Sequence, residues 1–349
     1  MPYTHDVRGS SPLAPTTFCC FKIKQEGTMK IAITGANGFV GSNLANYLHN
    51  SGHDIIAVIR PKASSRLIDP AIEVRFTNYE TGLDKALAGA EVVIHNAGSV
   101  RTRTFNDMID ANVGTTRRVL QAFNRSESAQ RFIYISSQAA SRPSENGKPV
   151  TESEPSAPVN WYGRSKLLAE RLIRAECEKE WTILRPVPVY GPGERDFLQV
   201  FKALKSGLSL QIGLKDQLLN LIHIDDLCAL AELCASHPKA ANEIFFASDG
   251  ETYTQREFMA VSARLLGKKN LHLSVPKPVA TAVFSLGDLF EKASGKVGLV
   301  NRQKMKEVVG PSWVCSIEKA RTLLGWEPGV ALEEGLTSTF EWYKKRSLL

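Results

Sequence analysis

A tyrosine and a lysine four residues apart are the side chains best suited to chemistry in this chain. The segment "WYGRSKLLAERLI" (161–173) has leucines and an alanine at helical spacing, so Tyr162 and Lys166 lie on one helix face. A phenol is a weak base at neutral pH, and a buried ammonium beside it stabilises the phenolate. The pair could move the proton that accompanies hydride transfer at a carbinol carbon. The alternative is a plain aromatic residue on the helix surface.

Two serines precede this helix at the end of a strand-like segment. "RFIYIS" (131–136) is apolar and β-rich, and Ser137 follows it directly. At the carboxyl edge of a sheet, a serine hydroxyl could face the tyrosine, orient a substrate oxygen and stabilise its developing charge. The residues therefore predict a Ser–Tyr–Lys site, with either Ser136 or Ser137 as the hydroxyl donor.

Three glycines lie where the first strand passes into a helix. They are Gly35, Gly38 and Gly41 in "IAITGANGFVGSNLANYLHN" (31–50). A helix N-terminus presents unpaired backbone N–H groups and the positive end of the helix dipole, which suits a diphosphate. The TGxxGxxG spacing matches the general dinucleotide fingerprint only loosely, and the Gly-Lys-Ser/Thr of a phosphate loop is missing. A dinucleotide is the favoured ligand, and purely structural glycines are the alternative.

The end of the second strand bears on the choice of dinucleotide. A carboxylate there binds the ribose hydroxyls of NAD, whereas an arginine suits the 2′-phosphate of NADP. The sequence is "AVIRPKASSR", with Arg60, Lys62 and Arg66 and no acid before Asp69. NADP is favoured and NAD is the alternative; a solvated basic loop would also explain the pattern.

Composition excludes several classes of function. The chain has 349 residues, 43% of them hydrophobic, and a net charge of +7, but its basic residues are scattered and do not predict nucleic-acid binding. Six cysteines without CxxC pairs predict neither a metal site nor a disulfide scaffold, and they favour a cytoplasmic location. No apolar run reaches the length of about 18 residues that spans a bilayer. "VATAVFSLGDLF" (279–290) is interpreted as a core helix, with a helix resting on a membrane as the alternative.

Strand-like and helical segments alternate along most of the chain. The strand candidates are 30–34, 55–60, 72–76, 91–95, 131–136, 181–185 and 243–248. Their near-continuous apolarity predicts a doubly wound parallel α/β sheet of the Rossmann type. We expect a disordered extension at 1–28 and a dinucleotide-binding domain at 29–185, completed by about 219–248. Residues 186–218 and 249–349 are predicted to form a smaller, mostly helical lid over the substrate.

Together the motifs resemble a known family. They are "TGANGFVG", "HNAG" (95–98), "ANVGTT" (111–116), "FIYISS" (132–137), "YGRSK", "RPVPVYGPG", "HIDD" (223–226) and "LGWEP" (324–328). The chain from Lys30 to about Tyr343 resembles the extended short-chain dehydrogenase/reductases of the NAD-dependent epimerase/dehydratase group. Members often dimerise through helix pairs, which here would be 104–125 and 161–179.

The resemblance implies particular roles for the site residues. Tyr162 would be the acid/base, Lys166 its electrostatic partner, Ser137 the hydroxyl donor, and Asn112 a support for the lysine. Where the family often has an aspartate near the adenine, this chain has Asn78 as the substitute. The predicted cofactor-binding residues are Gly35, Asn37, Gly38, Phe39, Val40, Gly41, Arg60, Asn78, Asn96, Ala97, Gly98, Tyr162, Lys166, Pro186 and Val189.

The substrate side departs from the nucleotide-sugar members of that group. Those members tend to carry an arginine near the position of Leu219, and asparagines where this chain has Val187 and Pro188. The loss of polar anchors favours an NADP-linked reductase or dehydrogenase for a bulky, weakly polar secondary alcohol or ketone, as in dihydroflavonol-reductase-like and hydroxysteroid-dehydrogenase-like members. A nucleotide-sugar epimerase or dehydratase with tightly bound NAD is the alternative, and a non-catalytic dinucleotide sensor is a third. Phosphate contacts could still come from Arg101, Arg103, Arg195, Lys304 or Lys306.

Overall fold

The computed structural model describes residues 27–212, 216–269, 271–294, 305 and 312–349. Most of the expected extension at 1–28 lies outside the described residues, as do Lys304 and Lys306. The strands are β1 Lys30–Thr34, β2 Asp54–Ile59, β3 Glu73–Phe76, β4 Val92–His95, β5 Arg131–Ile135, β6 Glu180–Pro186, β7 Val189–Tyr190, β8 Leu208–Ile212, β9 Leu218–Leu219, β10 Ile222–His223, β11 Glu243–Ala247, β12 Tyr253–Thr254 and β13 Leu271–Val275.

Helices follow most strands of the main sheet. They are α1 Phe39–Asn50, α2 Leu83–Leu87, α3 Phe105–Ile109, α4 Thr115–Arg125, α5 Trp161–Glu176, α6 Asp196–Lys205, α7 Ile224–Ser236, α8 Gln255–Leu265, α9 Lys277–Ser294, α10 Glu318–Leu324 and α11 Leu332–Lys345. A π-helical turn, Asp110–Gly114, joins α3 to α4, and short 3-10 turns occupy Gln138–Ala140 and Pro238–Ala240.

Seven parallel strands form the main sheet in the order β11-β6-β5-β4-β1-β2-β3. All residues of β4 and β5 are buried, because helices cover both faces of the sheet. The first strand lies between β2 and β4, so the direction of winding reverses beside it. Ligands of doubly wound sheets bind at this switch point, outside the carboxyl ends of the strands. The predicted Rossmann-type α/β fold is confirmed.

Two apolar layers fix the helices to the sheet. On one face α1 and α7 bury Leu44, Leu48 and Leu227 against the strands, and on the other α4 and α5 bury Phe123 and Ile173. These helices therefore hold their N-terminal ends at the carboxyl edge of the sheet, where the predicted site residues lie.

The last third of the chain contributes to both the sheet and a separate core. The strand β11 returns to the main sheet and pairs with β6, as the segment 243–248 predicted. A third cluster packs α6, α8 and α11 around Phe201, Phe258 and Phe340. Three two-stranded sheets, β7–β10, β9–β12 and β8–β13, also belong to this part of the protein. In the described part of the chain, no helix is long and apolar enough to cross a bilayer.

Candidate active site

The lysine of the predicted pair is held against the end of β5. Asn160 caps α5 by accepting a hydrogen bond of 2.7 Å from the backbone N–H of Gly163. One turn into this helix, the Lys166 ammonium donates a hydrogen bond of 2.8 Å to the carbonyl oxygen of Ile135. The same ammonium lies 4.6 Å from the centroid of the Tyr134 ring. Lys166 is thus fixed at the carboxyl edge of the sheet.

Burial sets the electrostatics of this lysine and its tyrosine neighbours. Loss of hydration lowers the pKa of Lys166 to about 8, against the opposing effect of the Glu170 carboxylate. Burial, and then the nearby Tyr162 phenol, raise the pKa of Tyr134. Tyr162 itself is half-buried. Lys166 and Tyr162 thus both act on Tyr134, and the direct pairing of the phenol with the ammonium stays a prediction.

The two candidate serines have different partners. The Ser136 hydroxyl is buried and donates a hydrogen bond of 2.5 Å to Oε1 of Glu170. Ser137 caps a 3-10 turn by accepting a hydrogen bond of 3.1 Å from the Ala139 N–H, which leaves its hydroxyl proton free to be donated elsewhere. Of the two, Ser137 is the better placed to donate a hydrogen bond to a substrate oxygen.

Asn112 joins three segments of the site. From the π-helical turn, its amide donates hydrogen bonds to the Ser99 carbonyl at 2.9 Å and to the Ser165 hydroxyl at 2.8 Å. Its Oδ1 accepts a hydrogen bond of 2.7 Å from the Ser99 N–H. A Cβ on Gly98 would lie 2.6 Å from this oxygen and 3.8 Å from Nζ of Lys166. Asn112 therefore holds the backbone that follows β4 against the part of α5 that carries Lys166.

The glycine turn leaves room for a diphosphate. Gly35 has φ +68°, and a Cβ there would lie 2.9 Å from the Ala97 backbone. A Cβ on Gly41 would lie 2.3 Å from the Gly35 carbonyl oxygen, so this glycine lets α1 pack closely. Gly38 is exposed, and its added Cβ would meet only that same oxygen, at 3.4 Å. Gly38 is also the N-cap of α1, whose first turn has neither a side-chain cap nor an acid, so the N–H groups there suit an anionic cofactor.

The other predicted cofactor-binding residues lie around this turn and the adjoining strand ends. The Thr34 hydroxyl accepts hydrogen bonds of 3.2 Å from the N–H groups of both Asn96 and Ala97, which fixes the loop after β4 beside the turn. Pro186 is buried as the last residue of β6. The residues Asn37, Phe39, Val40, Asn96 and Val189 are half-buried.

Tyr79, which no sequence motif indicates, lies beneath the glycine turn. Its hydroxyl accepts a hydrogen bond of 2.9 Å from the Gly35 N–H, and the residue is buried with a left-handed φ of +66°. Burial raises the pKa of Tyr79, and the positive charge of Arg60 opposes that shift. Arg60 is therefore close to the turn, while its own side chain is exposed. In the sequence Tyr79 directly follows the candidate Asn78, but its contact with the distant Gly35 is not visible there.

Asn78 lies in the exposed loop after β3. Its Oδ1 accepts hydrogen bonds from the N–H groups of Glu80 at 2.9 Å and Thr81 at 2.8 Å. The amide nitrogen of Asn78 takes no part in this turn. Its N–H group is therefore the side-chain donor that could contact an adenine. Its role in binding the cofactor stays a prediction.

A buried ion pair also lies directly below the site. Glu170 and Arg185 are 1% and 4% exposed, and they form hydrogen bonds of 2.6 Å and 3.0 Å. Glu170 follows Lys166 by four residues on α5, and it also accepts the Ser136 hydroxyl. That spacing is visible in the sequence, but the partner on β6 is not.

Histidines and acids near the site have structural partners. His95 bonds to Thr34 at 2.7 Å and Thr116 at 3.0 Å, and burial lowers its pKa to about 3, so it is neutral. Asp226 accepts hydrogen bonds from the backbone of Gly329 and Val330. Across the residues that the structure describes, no cluster of His, Cys, Asp or Glu could hold a metal ion.

The residues expected on the substrate side differ in their exposure and in their partners. Val187 is 3% exposed and belongs to the core, so its side chain does not line a substrate wall, whereas Pro188 is exposed. Leu219 is half-buried, in β9. Arg101, beyond β4, forms an ion pair with Asp196 at the start of α6. Arg103 and Arg195 are exposed.

Residues 31–247 match the NAD dependent epimerase/dehydratase family. The chain is 30% identical over 322 residues to the UDP-glucose 4-epimerase of Vibrio cholerae, covering 88% of this chain and 94% of that protein. It is 28% identical to the ceramide reductase of Caulobacter vibrioides, covering 90% and 94%. The solved structure of MoeE5 in complex with UDP-glucuronic acid and NAD is similar in fold, with a TM-score of 0.73 at 24% identity over 91% of this chain and 99% of that one.

Proposed function

This chain belongs to the NAD dependent epimerase/dehydratase family, and we propose that it is an NADP(H)-linked reductase or dehydrogenase of a bulky, weakly polar secondary alcohol or ketone. The family consists of NAD-dependent enzymes, among them oxidoreductases and epimerases. The choices of substrate class and of NADP over NAD are the parts we propose.

In the proposed reaction, the residues of the site handle the proton and the substrate oxygen. A nicotinamide dinucleotide bound on the glycine turn supplies or accepts the hydride. The Tyr162 hydroxyl gives its proton to the ketone oxygen in reduction and takes it back in oxidation. Lys166 stabilises the phenolate by its charge, and the Ser137 hydroxyl donates a hydrogen bond to the substrate oxygen. Asn112 keeps the loop after β4 against this pair.

One observation carries the choice of substrate class: the position before "HIDD" that would hold a diphosphate-binding arginine is Leu219. A second candidate for binding phosphate, Arg101, already has an acidic partner. Arg101 is paired with Asp196, which removes it as a free partner for phosphate. An apolar surface such as that of Leu219 favours a weakly polar substrate, by about 25 cal/mol for each Å² buried. The similarity to a ceramide reductase supports the same class.

The position of Arg60 supports NADP. It directly follows β2, its charge acts on the Tyr79 phenol beneath the turn, and no acid precedes Asp69 in this loop. A guanidinium there suits the 2′-phosphate that distinguishes NADP from NAD.

The second candidate function is a nucleotide-sugar 4-epimerase that recycles tightly bound NAD. The similarity to the Vibrio cholerae UDP-glucose 4-epimerase favours it. Such an enzyme converts its substrate without net consumption of a dinucleotide. This difference separates the two candidates in one assay.

The test is NADPH consumption by the purified full chain with sterol-like and ceramide-like ketones, beside UDP-glucose. We expect NADPH-dependent reduction of a ketone, and preference for NADPH over NADH that falls about tenfold or more in Arg60→Ala. The matched control is Arg174→Ala, which removes an exposed arginine near the end of α5. Conversion of UDP-glucose without NADPH consumption would establish the epimerase instead.

Two further expectations stay predictions. A homodimer through helices 104–125 and 161–179 is testable by light scattering of the full chain. A cytoplasmic location is testable by fractionating cells that produce it.

A further inference from the structure

Apolar side chains lie exposed along a short stretch of the last third of the chain. Leu271 and Leu273 on β13 are 63% and 43% exposed, and Val279 and Val283 on α9 are 52% and 51% exposed. Single exposed apolar residues are ordinary, but four of them within residues 271–283 form a feature that needs a partner. We call residues 271–283 the apolar segment.

The first half of α9 is apolar on both of its faces. Ala280 and Phe284 are buried, at i and i+4, and fix the helix to the protein. On the opposite side the exposed residues Pro278, Val279, Ala282 and Val283 are all apolar. A helix that only packs on a core has a polar outer face, so this one has the composition of a helix with a second apolar neighbour.

The few polar groups on this part of α9 are turned toward the backbone. The Thr281 hydroxyl donates a hydrogen bond of 2.8 Å to the Lys277 carbonyl, and the Ser285 hydroxyl donates one of 2.7 Å to the Thr281 carbonyl. Because these hydroxyls already have hydrogen-bond acceptors in the preceding turn, removing this face of the helix from water costs little free energy.

Lysines flank the apolar segment. Lys268 and Lys269 precede β13, Lys277 begins α9, and all three are exposed. Lys205 lies beside them, because the Leu271 N–H donates a hydrogen bond of 2.9 Å to the carbonyl of Gly207, just after α6. The sequence has no Asp or Glu between positions 266 and 287. The flanking charge is thus of one sign.

We infer that the apolar segment and its flanking lysines dock on the surface of an anionic lipid bilayer. Apolar side chains enter the boundary between headgroups and acyl chains, while lysines bind anionic headgroups. A second copy of this chain fits less well, since a two-fold contact would bring like charges together. The inference deepens the proposed function by giving a weakly polar substrate a route to the enzyme.

The apolar segment is connected to the loop after β4 by one helix. The strand β13 pairs with β8, which follows α6 in the chain. At its other end α6 begins at Asp196, the partner of Arg101 from the loop after β4. Ten residues of helix span about 15 Å, so a bilayer at the apolar segment would lie about that far from the Arg101–Asp196 ion pair.

The test is sedimentation of the full chain with vesicles of phosphatidylcholine alone or mixed with phosphatidylglycerol, in the absence of substrate. We expect binding to the mixed vesicles that weakens with added salt. The double variant Val279→Ser/Val283→Ser should bind about tenfold more weakly, and Lys268→Glu/Lys269→Glu should lose a similar factor. The matched control Leu348→Ser, at another exposed apolar residue, should bind as the parent does.

Three results would overturn the inference: no binding to mixed vesicles, equal binding by the valine variant and the parent, or a parent dimer that the valine variant converts to monomer. Circular dichroism and thermal unfolding confirm that each variant is folded. Because binding is measured without turnover, its failure leaves the proposed reaction standing, and failure of the reaction leaves docking standing.

Discussion

The buried lysine makes a quantitative prediction about stability against pH. Burial lowers the pKa of Lys166 to about 8, from an ordinary value of 10.5. An unfolded chain binds the lysine proton more tightly than the native protein over this range. The free energy of unfolding therefore rises as pH increases from about 8 to about 10.5, and this contribution is flat below and above that window.

The magnitude follows from the size of the pKa difference. One pKa unit corresponds to about 1.36 kcal/mol, so the gain in stability across the window is on the order of 3 kcal/mol. Other groups also titrate in this pH range, but they contribute equally to the unfolding free energies of the parent and of a variant that lacks the lysine. The substitution Lys166→Met removes the titrating group, keeps the length of the side chain, and isolates the contribution of the lysine.

The assay is urea unfolding of the parent and Lys166→Met at a series of pH values through this window, with intact folding checked by circular dichroism. The difference between the two unfolding free energies should change by on the order of 3 kcal/mol in favour of the parent as pH rises. A difference that stays constant would mean that Lys166 titrates at its ordinary pKa, and the account of a desolvated catalytic lysine would be wrong.

Three further outcomes follow from the site. Tyr162→Phe should lower kcat by about a hundredfold or more while the melting temperature stays near that of the parent, as steady-state kinetics and calorimetry will show. Gly41→Ala should destabilise the protein by about 1–3 kcal/mol in urea unfolding because of its 2.3 Å contact, whereas Gly38→Ala should fold normally and weaken dinucleotide binding in titration calorimetry. Glu170→Gln should cost about 3–5 kcal/mol of stability because it leaves a buried arginine unpaired, against at most about 1 kcal/mol for the exposed Glu333→Gln; equal costs would contradict this reasoning.

The fold was predictable because its signals are local and repeated. Each central strand is an apolar run, since helices cover both faces, and helices follow β1, β4 and β5. Tyr162 and Lys166 were found by helical spacing together with their place after the strand-like segment 131–136, and Gly35 by its place at a strand end. The two-residue strands β7, β9, β10 and β12 were missed, because two residues show no periodicity.

Features that depend on distant contacts could not be found in the sequence. Tyr79 contacts Gly35 from another strand end, and Glu170 finds its arginine on β6. Val187 was expected in a substrate wall but lies in the core, because a change of one position in an extended segment turns the side chain to the other face. The helix at 279–290 was interpreted as a core element; among its described side chains, 279–285, Ala280 and Phe284 are buried, and Val279 and Val283 are exposed.

The most direct test of the central claim follows the transferred hydrogen. NADPH deuterated at the nicotinamide carbon that delivers hydride is incubated with the full chain and a sterol-like or ceramide-like ketone, and the product is examined by mass spectrometry. We predict an alcohol with deuterium on the carbinol carbon, formed by the parent and not by Tyr162→Phe. Conversion of UDP-glucose to its 4-epimer, with no deuterium in any alcohol formed from the ketones, would contradict the claim.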